Sequence, residues 1–400
     1  MLFLVTSKER AMHAGKIVFA QLMECLPWYQ FNECVRRYQG DYRMRHFSCL
    51  SQFYCMAFAQ LTGRESLRDI VTCLMAHGHK LYHMGIRGPV RKSTLADANE
   101  QRDWRVFADL ARELIAIAKR FYINEDLGVD VTEPVFAFDS TLIDLCLTLF
   151  PWATFRTTTS AVKMHTLLDL RGAIPACIWV TEGSVHDVTM LDILTPLPQA
   201  VYVMDRGYMD FERLFRIHRA GAHFIIRAKH NLACKRIGAR PLDRATGVRG
   251  DQTILLTSPP SRHAYPDPLR KVTVFDAKRN KYVAFLTNYF ALPAVTVADL
   301  YRKRWDIEIF FRWVKQHLRI KRFFGTSPNA VKIQLWIAIA TYVLVAILKK
   351  RLGLPVSLYT LLQYLSVSVF EQVSIAEALT HISANQNESN FVNQLELPNL

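Results

Sequence analysis

V-F-A-F-D-S-T, residues 135–141, is the stretch that decides the fold. An apolar run of β-branched and aromatic residues ends at an acid, the pattern of a buried strand that delivers a carboxylate at its tip. Four runs of the same kind follow: V-K-M-H-T-L-L-D-L (162–170), I-P-A-C-I-W-V-T (174–181), V-Y-V-M-D (201–205) and H-F-I-I-R-A (223–228). Gly172 between the second and third predicts a tight turn and a hairpin. Helical stretches around 187–194 and 209–220 flank the fourth. The order is therefore three strands, helix, strand, helix, strand. The first three are expected antiparallel, with the fourth beside the first through a crossover. That is the order of an RNase H-like core, an α/β fold with a mixed five-stranded sheet and flanking helices. It sets Asp139 in the central strand and Asp205 at the end of its neighbour.

Residues 10 to about 125 read as helices, from apolar positions at helical spacing interrupted at Pro27 and Gly63. After a turn with Gly85, Gly88 and Pro89, a helix opens with Arg91, Lys92, Ser93 and Thr94, with Ser93 or Thr94 as its cap. Helix, turn and basic helix fit a DNA-reading helix-turn-helix. Residues 231–295 are polar, turn-rich and contain short strand-like runs, as a β-rich insertion would. The helix 331–351 is expected to pack on the sheet, and the Asn- and Gln-rich end from about 384 to be loose. The expected organisation is a helical, DNA-binding domain at 1–128, an RNase H-like domain at 129–350, and a C-terminal helical region and tail at 351–400.

Half of the 400 residues are apolar and 12% aromatic, enough for large cores and against disorder. The net charge of +15 points to a polyanionic partner, nucleic acid first. The eight cysteines include no C-x-x-C pair and read as reduced thiols in a cytosolic protein. The longest uncharged run, Ile333–Leu348, has 16 residues, short for a membrane span and broken by Gln334, Thr341 and Tyr342; a buried core helix is expected.

The chemistry gathers in Y-R-K-R-W-D-I-E-I-F-F-R-W-V-K, residues 301–315. Tyr301, Arg304, Glu308 and Lys315 stand three, four and seven residues apart, which brings them to nearly one face of a helix. Thr296 is expected to cap that helix. From Asp299 to Arg322, eight basic residues, among them Arg319, Lys321 and Arg322, face three acids. That net +5 in 24 residues is a third of the whole excess. One acid among bases makes sense where the acid holds a metal ion and the bases hold phosphate. With Asp139 and Asp205, Glu308 completes three carboxylates and no His or Cys shell, a ligand set for two Mg²⁺ ions, with Mn²⁺ as a substitute.

Taken together these motifs resemble the DDE transposases of prokaryotic insertion sequences, in the insertion-sequence-four family. The resemblance rests on the Tyr-x2-Arg-x3-Glu-x6-Lys signature at Tyr301, Arg304, Glu308 and Lys315, on F-D-S-T around Asp139 and on D-R-G-Y at 205–208. E-G-S-V-H-D (182–187) and F-I-I-R-A-K (224–229) are also similar to the family core, and the N-terminal part is similar to an uncharacterised helical domain that often precedes it. The resemblance implies an enzyme that cuts at element ends and joins the 3′ ends to target DNA by two-metal phosphoryl transfer. Asp139, Asp205 and Glu308 are then the catalytic metal ligands. Tyr301, Arg304, Lys315 and Arg206 are DNA contacts. Asp187 is a candidate support of the site, and His165 is expected to pack on the sheet. Partners would be double-stranded DNA, both terminal inverted repeats and target, with a homodimer on DNA, no membrane, and a cytoplasmic, nucleoid-associated location. Another RNase H-like nuclease would share the acids but not the Tyr-Arg-Glu-Lys pattern. A catalytically inactive DNA-binding derivative would have no need of the intact acids.

Overall fold

The computed structural model describes residues 15–145, 148–156, 159–242, 246–276, 280–317 and 323–379. Cys146, Arg319, Lys321, Arg322 and the tail from 384 lie outside the described residues. The chain gathers into two compact units, one of residues 122–312 and one of residues up to 121 and from 313.

The 122–312 unit is built on a ten-stranded sheet. β1 (Val135–Leu145) pairs antiparallel with β3 (Thr159–Asp169), which also carries β2 (Thr154–Arg156) and β4 (Ile174–Glu182). On its other side β1 runs parallel to β5 (Val201–Met204), and β5 parallel to β6 (His223–Arg227). The order β4-β3-β1-β5-β6, with two antiparallel and two parallel pairs, is the RNase H-like order expected from the runs. The turn after β3 needs Gly172, whose φ is +84° and where a Cβ would come 2.1 Å from the Tyr122 ring. The insertion does not stand apart. β7 (Cys234–Ala239), β8 (Val248–Leu256), β9 (Leu269–Asp276) and β10 (Lys281–Thr287) continue the same sheet, joined through β10 beside β6.

Alternation sorts the two faces. Phe136, Phe138, Tyr202, Met204, Phe224, Ile226 and Leu286 share one core with Leu214 and Ile217 of the helix Phe211–Arg219. Val135, Ala137 and Asp139 therefore face the other way, as does Asp205 by the register Phe136↔Tyr202 and Phe138↔Met204. The helix Ala294–Lys303 packs over β5, β6, β8 and β9. Its Tyr301 ring lies 4.5 Å from Phe285, whose neighbour Leu286 belongs to the first face.

A buried ion pair fixes the approach to that helix. Arg270 and Asp251, 1% and 4% exposed, meet through two bonds of 2.8 and 2.7 Å. Arg270 Nη1 also donates to the carbonyls of Tyr289, at 3.1 Å, and of Leu292. The insertion thereby holds the segment that leads into the helix at Pro293. Thr296 does not cap this helix: Pro293 is the N-cap residue and Thr296 lies buried inside the first turn. Proline fixes its own backbone as the helix opens, so the helix begins earlier than the Thr suggested.

The other unit is helical. Ser48 and Ser66 cap the helices Cys49–Thr62 and Leu67–Ala76 through their side chains, each cap worth about 1 kcal/mol. Gly63, at φ 66°, ends the first. The helix Pro328–Arg351 is apolar on every side and packs against Val18–Met23, Cys49–Thr62, Lys92–Gln101 and Leu358–Ser368. Its partners in the helical unit replace the sheet packing expected for 331–351. The helix is long and apolar enough to cross a membrane, and 94% of its most apolar window is buried inside the protein. The helix-turn-helix expectation also changes. Leu67–Ala76 and Lys92–Gln101 are separated by the 15 residues 77–91, not by the three- or four-residue turn of that motif. Lys92–Gln101 has Arg91 at its N-cap and no side-chain cap, with Ser93 and Thr94 already inside the helix. The thiols of Cys49 and Cys55 are pushed up to about 12 by burial, chemically quiet in the core.

Candidate active site

Asp139 is the fifth residue of β1 and Asp205 the first residue beyond β5. Parallel pairing of these strands carries both acids to one edge of one face. The signature does not lie on a single helix. Arg304 interrupts it, closing Ala294–Lys303 and opening Trp305–His317. Its backbone stays helical (φ −52°, ψ −26°), and Ile307 N donates to the Arg304 carbonyl at 3.1 Å, so the phase is kept and Tyr301, Arg304 and Glu308 still reach one site.

Five of the residues singled out in the sequence meet there. Arg304 Nη1 donates to Asp139 Oδ2 at 2.8 Å and Nη2 to Glu308 Oε1 at 2.9 Å. Tyr301 donates its hydroxyl to Asp205 Oδ1 at 3.3 Å. Sharing one guanidinium, the bonded oxygens of Asp139 and Glu308 are at most about 8 Å apart. Asp139 Oδ1 also accepts from Ser140 N at 2.8 Å. Burial pushes the Asp139 carboxyl up to about 7; Glu308 and Asp205 push the same way, while the Ser140 amide and Arg304 oppose them. Burial works against the charge on Arg304, but Glu308 and Asp139 more than offset it and hold its pKa above the ordinary value. Burial lifts Tyr301 to about 12, so its hydroxyl stays a donor. Glu308 Oε2 is buried with no hydrogen-bond partner among the described residues.

Arg206 is exposed and opens the short turn Arg206–Tyr208 directly after Asp205. Lys315 is half-buried on Trp305–His317, two turns past Glu308. Asp187 lies behind Asp139, on the opposite face. It accepts from Ser140 Oγ at 2.6 Å, with Lys163 Nζ at 3.1 Å and His165 Nδ1 at 3.7 Å. Burial lowers His165 to about 4, so it is neutral, and its Nε2 meets the Thr181 hydroxyl at 2.9 Å. Ser140 and Lys163 escaped the sequence reading. The one signal was a lysine in the strand beside β1, whose register pairs it with Leu142, two residues past Ser140.

The donor set suits a hard cation. Three carboxylates offer oxygen only, one buried oxygen has no hydrogen-bond partner among the described residues, and burial raises the Asp139 carboxyl, so added positive charge would favour its ionised form. Among the described residues no three His, Cys, Asp or Glu side chains already converge on one point, because the Arg304 guanidinium stands between Asp139 and Glu308.

A family described as a transposase DDE domain matches residues 131–344, more than half of the chain and all three acids. The chain belongs to the DDE transposase family. It is an enzyme of DNA cutting and strand transfer, in a family that generally uses divalent metal ions. Residues 14–87 match a second family, described as a domain of unknown function (DUF4372). A Sinorhizobium fredii protein named as transposase y4zB is 34% identical over 272 residues, 66% of this chain and 74% of that protein. A Geobacillus stearothermophilus protein named as the transposase for insertion sequence element IS5377 is 34% identical over 214 residues, 53% and 56% of the two chains. The transposase InsG for insertion sequence element IS4 of Escherichia coli is 30% identical over 152 residues, 36% and 33%. A solved piggyBac transposase synaptic complex with hairpin DNA is similar at TM-score 0.48 and 9% identity, over 99% of this chain and 84% of that one.

Proposed function

We propose that this transposase cuts at the ends of its own insertion sequence and joins the freed 3′ ends to target DNA, with Asp139, Asp205 and Glu308 holding two Mg²⁺ ions. The supporting observation is the convergence of three distant carboxylates on Tyr301 and Arg304. When bound, such ions lower the pKa of the attacking water or 3′-hydroxyl and neutralise the leaving oxygen. Asp139, Asp205 and Glu308 would be the carboxylates that hold the ions, with oxygen donors alone. Arg304, released from its acids, turns its two-pronged donor to a phosphate of the element end, where Lys315 and Arg206 add charge. Tyr301 keeps a protonated hydroxyl for a phosphate oxygen or for Asp205. Ser140 fixes the Asp139 carboxylate through its amide, and Asp187 and Lys163 brace Ser140 from behind.

In this reading the helical domain, residues 1–128, binds the element ends, the 129–350 segment cuts, and two protomers bring two ends together. The test is a reaction with Mg²⁺, a duplex carrying an element end with flanking DNA, and a plasmid target. The expected products are a cut at the end and a 3′ end joined to the plasmid. Cutting without joining would support a plain nuclease; binding without cutting, an inactive derivative.

A further inference from the structure

The helical unit carries a cleft that no step above uses, formed by the loop 39–48, the start of the helix Cys49–Thr62 and the connection 77–91. We propose that this cleft holds the DNA of the element end, with Arg45 and Arg87 on phosphates and Trp28 and Tyr82 against sugar and base surface. The inference rests on the transposase reading and assigns end binding to a definite surface.

The cleft encloses about 690 Å³. Its floor is rigid. Trp28 stands edge-on to Tyr54, with ring centroids 6.5 Å apart. Gly85, at φ +86°, lies so close that a Cβ would come 2.7 Å from the Tyr54 ring. The connection 77–91 thereby comes close to Tyr54 at Gly85. On that floor the rim holds large rings in solvent: Tyr82 is 80% exposed and Trp28 47%. Two large rings exposed together on one rim give a partner an aromatic surface to pack against.

The charge is one-sided. Arg45 and Arg87 line the cleft and have no ion-pair partner among the described residues. The acid in the lining, Asp41, is already engaged: its Oδ1 accepts from Cys49 N at 2.6 Å and lies 4.0 Å from Arg102. Unpaired arginines between exposed aromatic rings suit a chain of phosphates with bases beside it. The short-turn helix-turn-helix is not built here, so end binding needs another surface, and this cleft occupies the very connection that replaced the turn.

The full-length protein is titrated with a duplex carrying the element's inverted repeat, between about 50 and 200 mM salt. Arg45→Ala and Arg87→Ala are each expected to weaken binding roughly fivefold or more and to flatten the slope of log K against log salt by about 1. Arg87→Glu should weaken it further. Tyr82→Ala should lose affinity while Tyr82→Phe keeps it, since the ring and not the hydroxyl makes the contact. Arg36→Ala, at an exposed position paired with Glu33 outside the cleft, should bind as wild type. Unchanged melting curves show that the variants fold. Cleft variants with wild-type affinity and salt slope, beside a wild type that binds and cuts, would overturn the cleft and leave the transposase reading standing. A wild type that neither binds nor cuts would overturn the reading beneath it as well.

Discussion

Burial holds Asp139 near 7 while Arg304 clamps it to Glu308, and both facts have measurable consequences. The folded value lies above the ordinary 3.8. The stability this group contributes is therefore present below about 4 and is lost as pH rises through about 7. In chelator, the melting temperature of wild type should fall relative to Asp139→Asn across that window; parallel curves would contradict the shift. Arg304→Gln leaves two half-buried carboxylates without their cation. It should cost about 3 kcal/mol in urea unfolding with chelator, with much of the loss recovered in Mg²⁺. Both aspartates were legible because each ends an apolar run, and alternation fixes which face they share. The Arg304 bridge was not, since sequence spacing shows which residues share a helix face but not which acid across the sheet they meet. Ser140 and Lys163 were hidden for the same reason: their common partner Asp187 comes from a loop more than twenty residues on.

At the scale of elements, strand order was readable from run length, β-branching and the turn glycine Gly172. Substituting that glycine tests the hairpin. Gly172→Ala forces a left-handed residue against Tyr122 and should destabilise by about 1–3 kcal/mol. Helix starts were misjudged at Thr296 and at Ser93/Thr94, where Pro293 and the extended Arg91 open the helix sooner. The Arg270–Asp251 clamp had no sequence signal, because its partners lie 19 residues apart on neighbouring strands. Asp251→Ala should cost about 3–5 kcal/mol by leaving a buried guanidinium unpaired. Removing both charges with Arg270→Met and Asp251→Leu should recover part of that loss in the same urea titration. If the single and double variants were equally unstable, the clamp would be packing and not charge.

For the whole molecule, composition foresaw a basic protein with large cores, and the signature foresaw the family. The insertion joined the main sheet because a free edge at β6 was open to pairing, a choice no local pattern records. The helix Pro328–Arg351 is apolar all round, so its sequence carries no preferred face and could not say which elements would surround it. Its neighbours in the helical unit are set by packing and, at its first turn, by Asn329, whose amide donates to the Asn99, Glu100 and Arg102 carbonyls.

The most direct measurement compares Mg²⁺-dependent cutting of an element-end duplex by wild type, Asp139→Ala, Asp205→Ala and Glu308→Ala, with DNA binding measured alongside. Each variant should bind DNA and lose cutting by about a thousandfold or more, roughly 4 kcal/mol of barrier. Wild-type cutting by any one of the three would remove that residue from the site and contradict the shared three-carboxylate centre.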